Sequence, residues 1–131
     1  MTGENHLPTL IRTMHPSAAP EVYVFLSVPS GQPVPGGVVP IMLFRETEGL
    51  TLVVPRDQAE GAGLTGSFPS RMITLTVKSA LEAVGFLAAI TARLAEAEIA
   101  VNAVSAFHHD HLFVPEQRTD EAIAILKAMA M

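Results

Sequence analysis

The apolar positions along this chain follow two different periods, and each change of period marks an element. Leu7, Leu10, Ile11 and Met14 recur at i, i+3, i+4 and i+7, one face of a helix, and Pro8 suits its first turn. His15-Pro16 should end that helix, because a residue before proline avoids the helical region. Residues 22–28 read as a strand, and the Pro/Gly-rich stretch 29–37 as a connector. Two β-type runs, 38–44 and 50–54, surround Glu46-Thr47-Glu48-Gly49, where Gly49 is expected to adopt the left-handed conformation and close a hairpin. A short helical or looped segment, 56 to about 62, is broken by Gly61, Gly63 and Gly66.

The second half alternates more cleanly. Ile73, Leu75 and Val77 are separated by Thr74 and Thr76, the pattern of a half-buried strand. Residues 79–97 predict a helix whose apolar stripe is Val84, Leu87, Ile90 or Thr91, and Leu94. Residues 99–107 and 111–114 predict two more strands around His108-His109-Asp110. Thr119 is placed to cap a last helix with Ala122, Ile125, Leu126 and Met129 on one face. From Ile73 onward the order is β-α-β-β-α, five of the six elements of a ferredoxin-like α+β plait. The closing strand has no room before the chain ends, so a first-half strand such as 22–28, or a second subunit, is expected to supply it. The unfilled sheet edge predicts a homo-oligomer.

Composition narrows the function. Of the 131 residues, 49% are hydrophobic and 16% charged, which excludes a disordered chain. Aromatics are sparse, with no Trp, so Val, Leu, Ile, Ala and Met must build the core. A net charge of -5 without a basic patch argues against a nucleic-acid partner. The absence of cysteine excludes disulfides and thiolate chemistry and fits a cytoplasmic protein. The N-terminal stretch lacks an apolar signal region, and the longest apolar run, 83–92, is too short to cross a bilayer.

Candidate chemistry is thin. Ser79-Ala80-Leu81-Glu82 matches a capping box, which would pair two free N–H groups at a helix start. The same junction suits a ligand carboxylate, because it presents N–H groups and the positive end of a helix dipole. Gly85, one turn into the predicted helix, costs roughly 1 kcal/mol against Ala unless something needs its missing side chain. His108-His109-Asp110-His111 could hold a transition metal, but alternation along an extended chain turns Asp110 away from His109 and His111. A tight turn explains the stretch as well. Asn102 interrupts an apolar run and is either a solvated sheet-face residue or a ligand contact. No P-loop, GxGxxG, GxSxG or nucleophile–base pair appears, so a non-enzymatic role without cofactor or metal is expected.

These strings resemble an ACT domain: residues 73–77 as first strand, 79–85 as the turn into a helix with an early glycine, 99–104 (IAVNAV) and 110–114 (DHLFV) as the next strands. With 81–85, 109–115 and 44–54 the chain is similar to a bacterial family of tandem ACT proteins of unknown function. That family is similar in turn to the ACT modules of aspartate kinases and of the cytosolic arginine sensor. The resemblance spans about residues 7–129 and implies two ACT-like units, 1–68 (either a full unit or an incomplete one that donates a strand) and 69–131, with antiparallel sheets and helices on one face. It implies a ligand, in many such proteins an amino acid, at Ser79, Ala80, Leu81, Glu82, Val84 and Gly85, with Asn102, Val104 and Asp110 contributing from the strands. Such sites commonly form between two ACT units. The chain departs from the commonest pattern with Leu81-Glu82 where Pro or Asp-Gly is frequent, and with Asn102 where many kinases carry Asp.

Three readings follow. A regulatory sensor would bind an amino-acid effector and pass the signal to a partner protein. An assembly module would use the same fold only to oligomerise. A metal-binding protein would use the histidine cluster.

Overall fold

In a computed structural model, described here for residues 3–131, the elements run α1 (Leu7–Thr13), β1 (Pro16–Ala18), β2 (Tyr23–Pro29), β3 (Met42–Arg45), β4 (Gly49–Pro55) and α2 (Arg56–Gly61). They continue with β5 (Ser67–Leu75), α3 (Phe86–Glu96), β6 (Asn102–Ser105), β7 (Asp110–Pro115) and α4 (Thr119–Met129), the last preceded by a 3-10 turn at Glu116–Arg118. The chain divides into two compact units. One is the middle segment Glu21–Ser70; the other joins the chain up to Pro20 with Arg71–Met131. The sequential division at residue 68 therefore differs from the compact units, because residues 3–20 belong with the C-terminal half and the second boundary falls after Ser70.

The discontinuous unit is a complete plait. Its strands lie in the order β1, the second half of β5, β7, β6, with β1 antiparallel to β5 (Pro16 opposite Leu75, Ala18 opposite Ile73) and β6 antiparallel to β7. The closing strand thus comes from the first half of the chain, as expected, though from three residues just after α1 and not from 22–28. One sheet face carries Ile73, Leu75, Leu112 and Val114, all buried against Leu10 of α1 and Met14 just after it, Phe86, Ile90 and Leu94 of α3, and Ala122 and Leu126 of α4. At about 25 cal/mol per Å² of apolar area, burying each such side chain is worth about 1.5–3 kcal/mol.

The middle unit repeats the same order, β3-β4-β2 followed by the first half of β5, and pairs β2 with β4 over seven residues. It lacks a helix between its first two strands. The connector fills that space instead, carrying Val34 and Val38 onto Val24, Leu26, Val28, Leu52 and Val54. This explains why the strand expected from residue 38 begins only at Met42: Val38 is buried as a plug, not as a ladder residue. Gly49 does not take the left-handed conformation expected of it. It is needed because β2 passes so close that a Cβ there would stand 2.5 Å from the Val28 carbonyl oxygen.

Two helix boundaries also differ from expectation. Thr119 does not cap α4; it is the helix's first residue, and its hydroxyl donates back to the carbonyls of Glu116 (3.0 Å) and Pro115 (3.3 Å). The α3 helix begins at Phe86, seven residues later than the pattern suggests. Its far end closes in a Schellman arrangement, with Glu98 N–H on the Ala95 carbonyl (2.9 Å) and Ile99 N–H on that of Leu94 (3.0 Å). Glu98 occupies the left-handed position, φ 57°, that glycine normally fills.

Candidate functional site

The segment between β5 and α3 is a loop rather than a helical turn, and its hydrogen bonds say why. Ser79 N–H donates to the Val77 carbonyl (3.0 Å) and Ala80 N–H to that of Glu4 (2.7 Å), while Glu4 N–H reaches the Lys78 carbonyl (2.7 Å). The N–H groups of Ser79 and Ala80, which the capping-box reading would offer to a ligand, are therefore taken. The Ser79 hydroxyl is taken too, donating to Asp110 Oδ2 at 3.0 Å. A real helix start lies at Gly85, whose φ of 93° and ψ of -9° turn the chain into α3; its carbonyl accepts the first helical bond, from Ala89 N–H at 2.9 Å. Gly85 is thus the capping position itself, not a residue one turn inside the helix.

No side chain caps this helix, and no acidic residue stands in its first turn. The N–H groups of Phe86, Leu87 and Ala88 have no partner inside the helix, and the dipole of an 11-residue helix concentrates positive potential on them. Asp110, only 6% exposed, stands at the head of β7 and lines the same pocket as these residues. The hydroxyl of Ser105, the last residue of β6, donates to its Oδ1 at 2.7 Å, so two serines hold the carboxylate from opposite sides. Among the described residues Asp110 makes no ion pair. Between these groups is a pocket of about 130 Å³ walled by the loop (Ser79, Ala80, Leu81, Ala83, Gly85), by Phe86, Leu87 and Ala88, and by Ser105, Ala106 and Asp110. All of them belong to the discontinuous unit.

Five of the nine residues proposed from sequence meet here: Ser79, Ala80, Leu81, Gly85 and Asp110. The other four do not line the pocket. Glu82 and Val84 point to solvent, Val84 being almost fully exposed because it precedes the helix it was assigned to. Asn102 lies further along β6 opposite Phe113, and Val104 opposite His111. The residues that sequence reasoning missed are Phe86, Leu87 and Ala88, which contribute backbone, and Ser105. A glycine directly followed by an unbroken helical run was the available signal for the first three.

The histidines do not converge. Asp110 faces the two serines, His109 and His111 rings are 6.4 Å apart, and His111 Nδ1 lies 3.0 Å from Thr74 Oγ1. Burial, with the neighbouring His109, pushes the His111 pKa below its usual value, partly opposed by Asp110. Among the described residues no group of three or more His, Cys, Asp or Glu stands close enough to hold a metal ion. Among the described residues no helix is long and apolar enough to cross a membrane.

Two models of the ACT domain match the chain in tandem, over residues 2–71 and 67–128. The chain belongs to the ACT-domain family. ACT domains typically serve as regulatory ligand-binding modules, and membership supports a regulatory role here. A protein of unknown function from Vibrio cholerae, described as a possible transport protein, is 39% identical, with a TM-score of 0.86 over 95% of this chain and 96% of that one. An Agrobacterium tumefaciens protein shares the fold at 16% identity and TM-score 0.71, each chain covered to 89%. The ligand-free regulatory subunit of aspartate kinase from Thermus thermophilus does so at 11% identity and TM-score 0.66, covering 91% of this chain and 97% of that one. No curated protein matches the ACT chain.

Proposed function

We propose that this ACT protein is a non-catalytic cytoplasmic sensor that binds an α-amino acid at the start of α3 and passes the signal to a partner protein. One observation carries the reading. One pocket is lined both by residues 86–88, whose helix-start N–H groups carry no side-chain cap, and by the buried carboxylate of Asp110, which brings donors and an acceptor together. A zwitterion satisfies both: its carboxylate meets the helix N–H groups and its ammonium meets Asp110. In this reading the Ser79 and Ser105 hydroxyls serve to hold the Asp110 carboxylate in place, and occupancy would act by stabilising one conformational population.

Thermal unfolding of the full chain with each common amino acid tests this. A ligand at a hundred times its Kd should stabilise by about 2.7 kcal/mol. Asp110→Asn keeps an acceptor and a donor for the two serines while removing the charge, and should abolish the ligand effect. A flat response to every amino acid at millimolar concentration would sink the proposal.

Self-association is a second reading, favoured by a specific surface. The edge strand β3 and its approach leave Val39, Ile41, Leu43 and Phe44 exposed, Phe44 by 64%. Unpaired apolar edges of this kind are normally covered. Light scattering should give a multiple of 13.9 kDa, and Phe44→Arg should lower it. A wild-type chain that stays at the single-chain mass would refute self-association.

A further inference from the structure

The same pocket restricts both the charge and the size of its occupant. Apart from Asp110, no residue lining it bears a charged side chain. Lys78 and Glu82, the charged residues flanking its loop, are exposed and lie outside the wall. Its volume of about 130 Å³ is slightly below the roughly 150 Å³ at which an apolar protein cavity admits benzene, a molecule with as many heavy atoms as alanine. Once the amino and carboxylate ends are seated, little space remains.

We infer that the ligand is an α-amino acid with a small, uncharged side chain, no larger than that of alanine or serine; this rests on the amino-acid reading above. An acidic side chain would enter without a countercharge, and burying an unpaired charge is costly. A basic side chain would compete with its own α-ammonium for Asp110, the single anionic group in the wall. Leucine or phenylalanine side chains exceed the space left once both ends are seated, so the amino or carboxylate group would have to give up some of its contacts. Asp110 has acceptor capacity to spare, since each of its oxygens receives only one serine hydroxyl.

The test is titration calorimetry of the full chain with glycine, L-alanine, L-serine, L-leucine, L-lysine and L-glutamate, alongside hydrogen exchange at the amides of residues 86–88. Alanine or serine should bind at least tenfold tighter than leucine, lysine or glutamate. Binding should slow exchange at 86–88, and Asp110→Asn should lose at least tenfold in affinity. Leucine, lysine or glutamate binding as tightly as alanine, with the same protection, would overturn the size and charge inference while leaving the amino-acid reading intact. No binding by any of the six, or binding that leaves residues 86–88 unprotected, would overturn both. If Asp110→Asn does not fold, the exchange pattern of the wild-type chain still decides between these outcomes.

Discussion

Replacing Gly85 with alanine should destabilise the protein by about 0.5–1.5 kcal/mol, and the reason is entirely in the backbone. At φ 93° the residue lies in the left-handed half of conformational space, where an L side chain costs roughly 1–2 kcal/mol. Alanine also restricts the unfolded chain, which offsets about 0.4–1 kcal/mol of that cost. The added methyl brings no clash, since its nearest neighbour is Leu7 Cδ2 at 3.5 Å, an ordinary contact. Gly61 provides the control. It ends α2 with an ordinary φ and nothing within 4 Å of a built Cβ, so Gly61→Ala should stabilise by about 0.5–1 kcal/mol. The same chemical change is therefore expected to act with opposite sign at two sites, read as shifts in the urea midpoint by circular dichroism. Gly85→Ala protein as stable as wild type would refute the reasoning, because the turn that sets the start of α3 would then not depend on glycine.

Other sites give independent tests. Glu98→Gly should raise stability by about 0.5–1 kcal/mol by relieving the left-handed C-terminal residue of α3, and Glu98→Ala should not; equal effects would point to the carboxylate instead. His111 has a folded-state pKa below its unfolded value, so the unfolded chain binds more protons as pH falls through the window below 6.5. Stability should fall with pH in that window and His111→Gln should flatten the dependence; an NMR titration placing His111 above 6.5 would reverse the sign and reject the assignment.

The helix and strand periods made most of the fold legible, yet the places they misread are informative. The strand Pro16–Ala18 is too short to show a period and starts with proline; its extended conformation is made by pairing with residues 73–75, a long-range fact. The capping-box pattern at Ser79–Glu82 failed because the Val77 carbonyl claims the Ser79 N–H and the Asp110 carboxylate claims the Ser79 hydroxyl, the two groups the box would have used at its first position. Half the pocket was legible from Ser79, Gly85 and Asp110, which occur in a recognisable order. The other half consists of backbone N–H groups at residues 86–88 and the Ser105 hydroxyl. Their role depends on where the helix starts and on the β6–β7 register, neither of which composition or alternation can fix.

The origin of β1 has a consequence for how the chain is made. Ala18 leaves the ribosome 55 residues before its partner Ile73 (73 − 18), and at roughly 5–20 residues per second that is a wait of about 3–11 s. During that interval the whole of the other compact unit, residues 21–70, emerges. The usual order of vectorial synthesis, N-terminal structure first, is therefore closed to the discontinuous unit: its β1–β5 pairing must wait for Ile73, and the pocket at the start of α3 for Asp110.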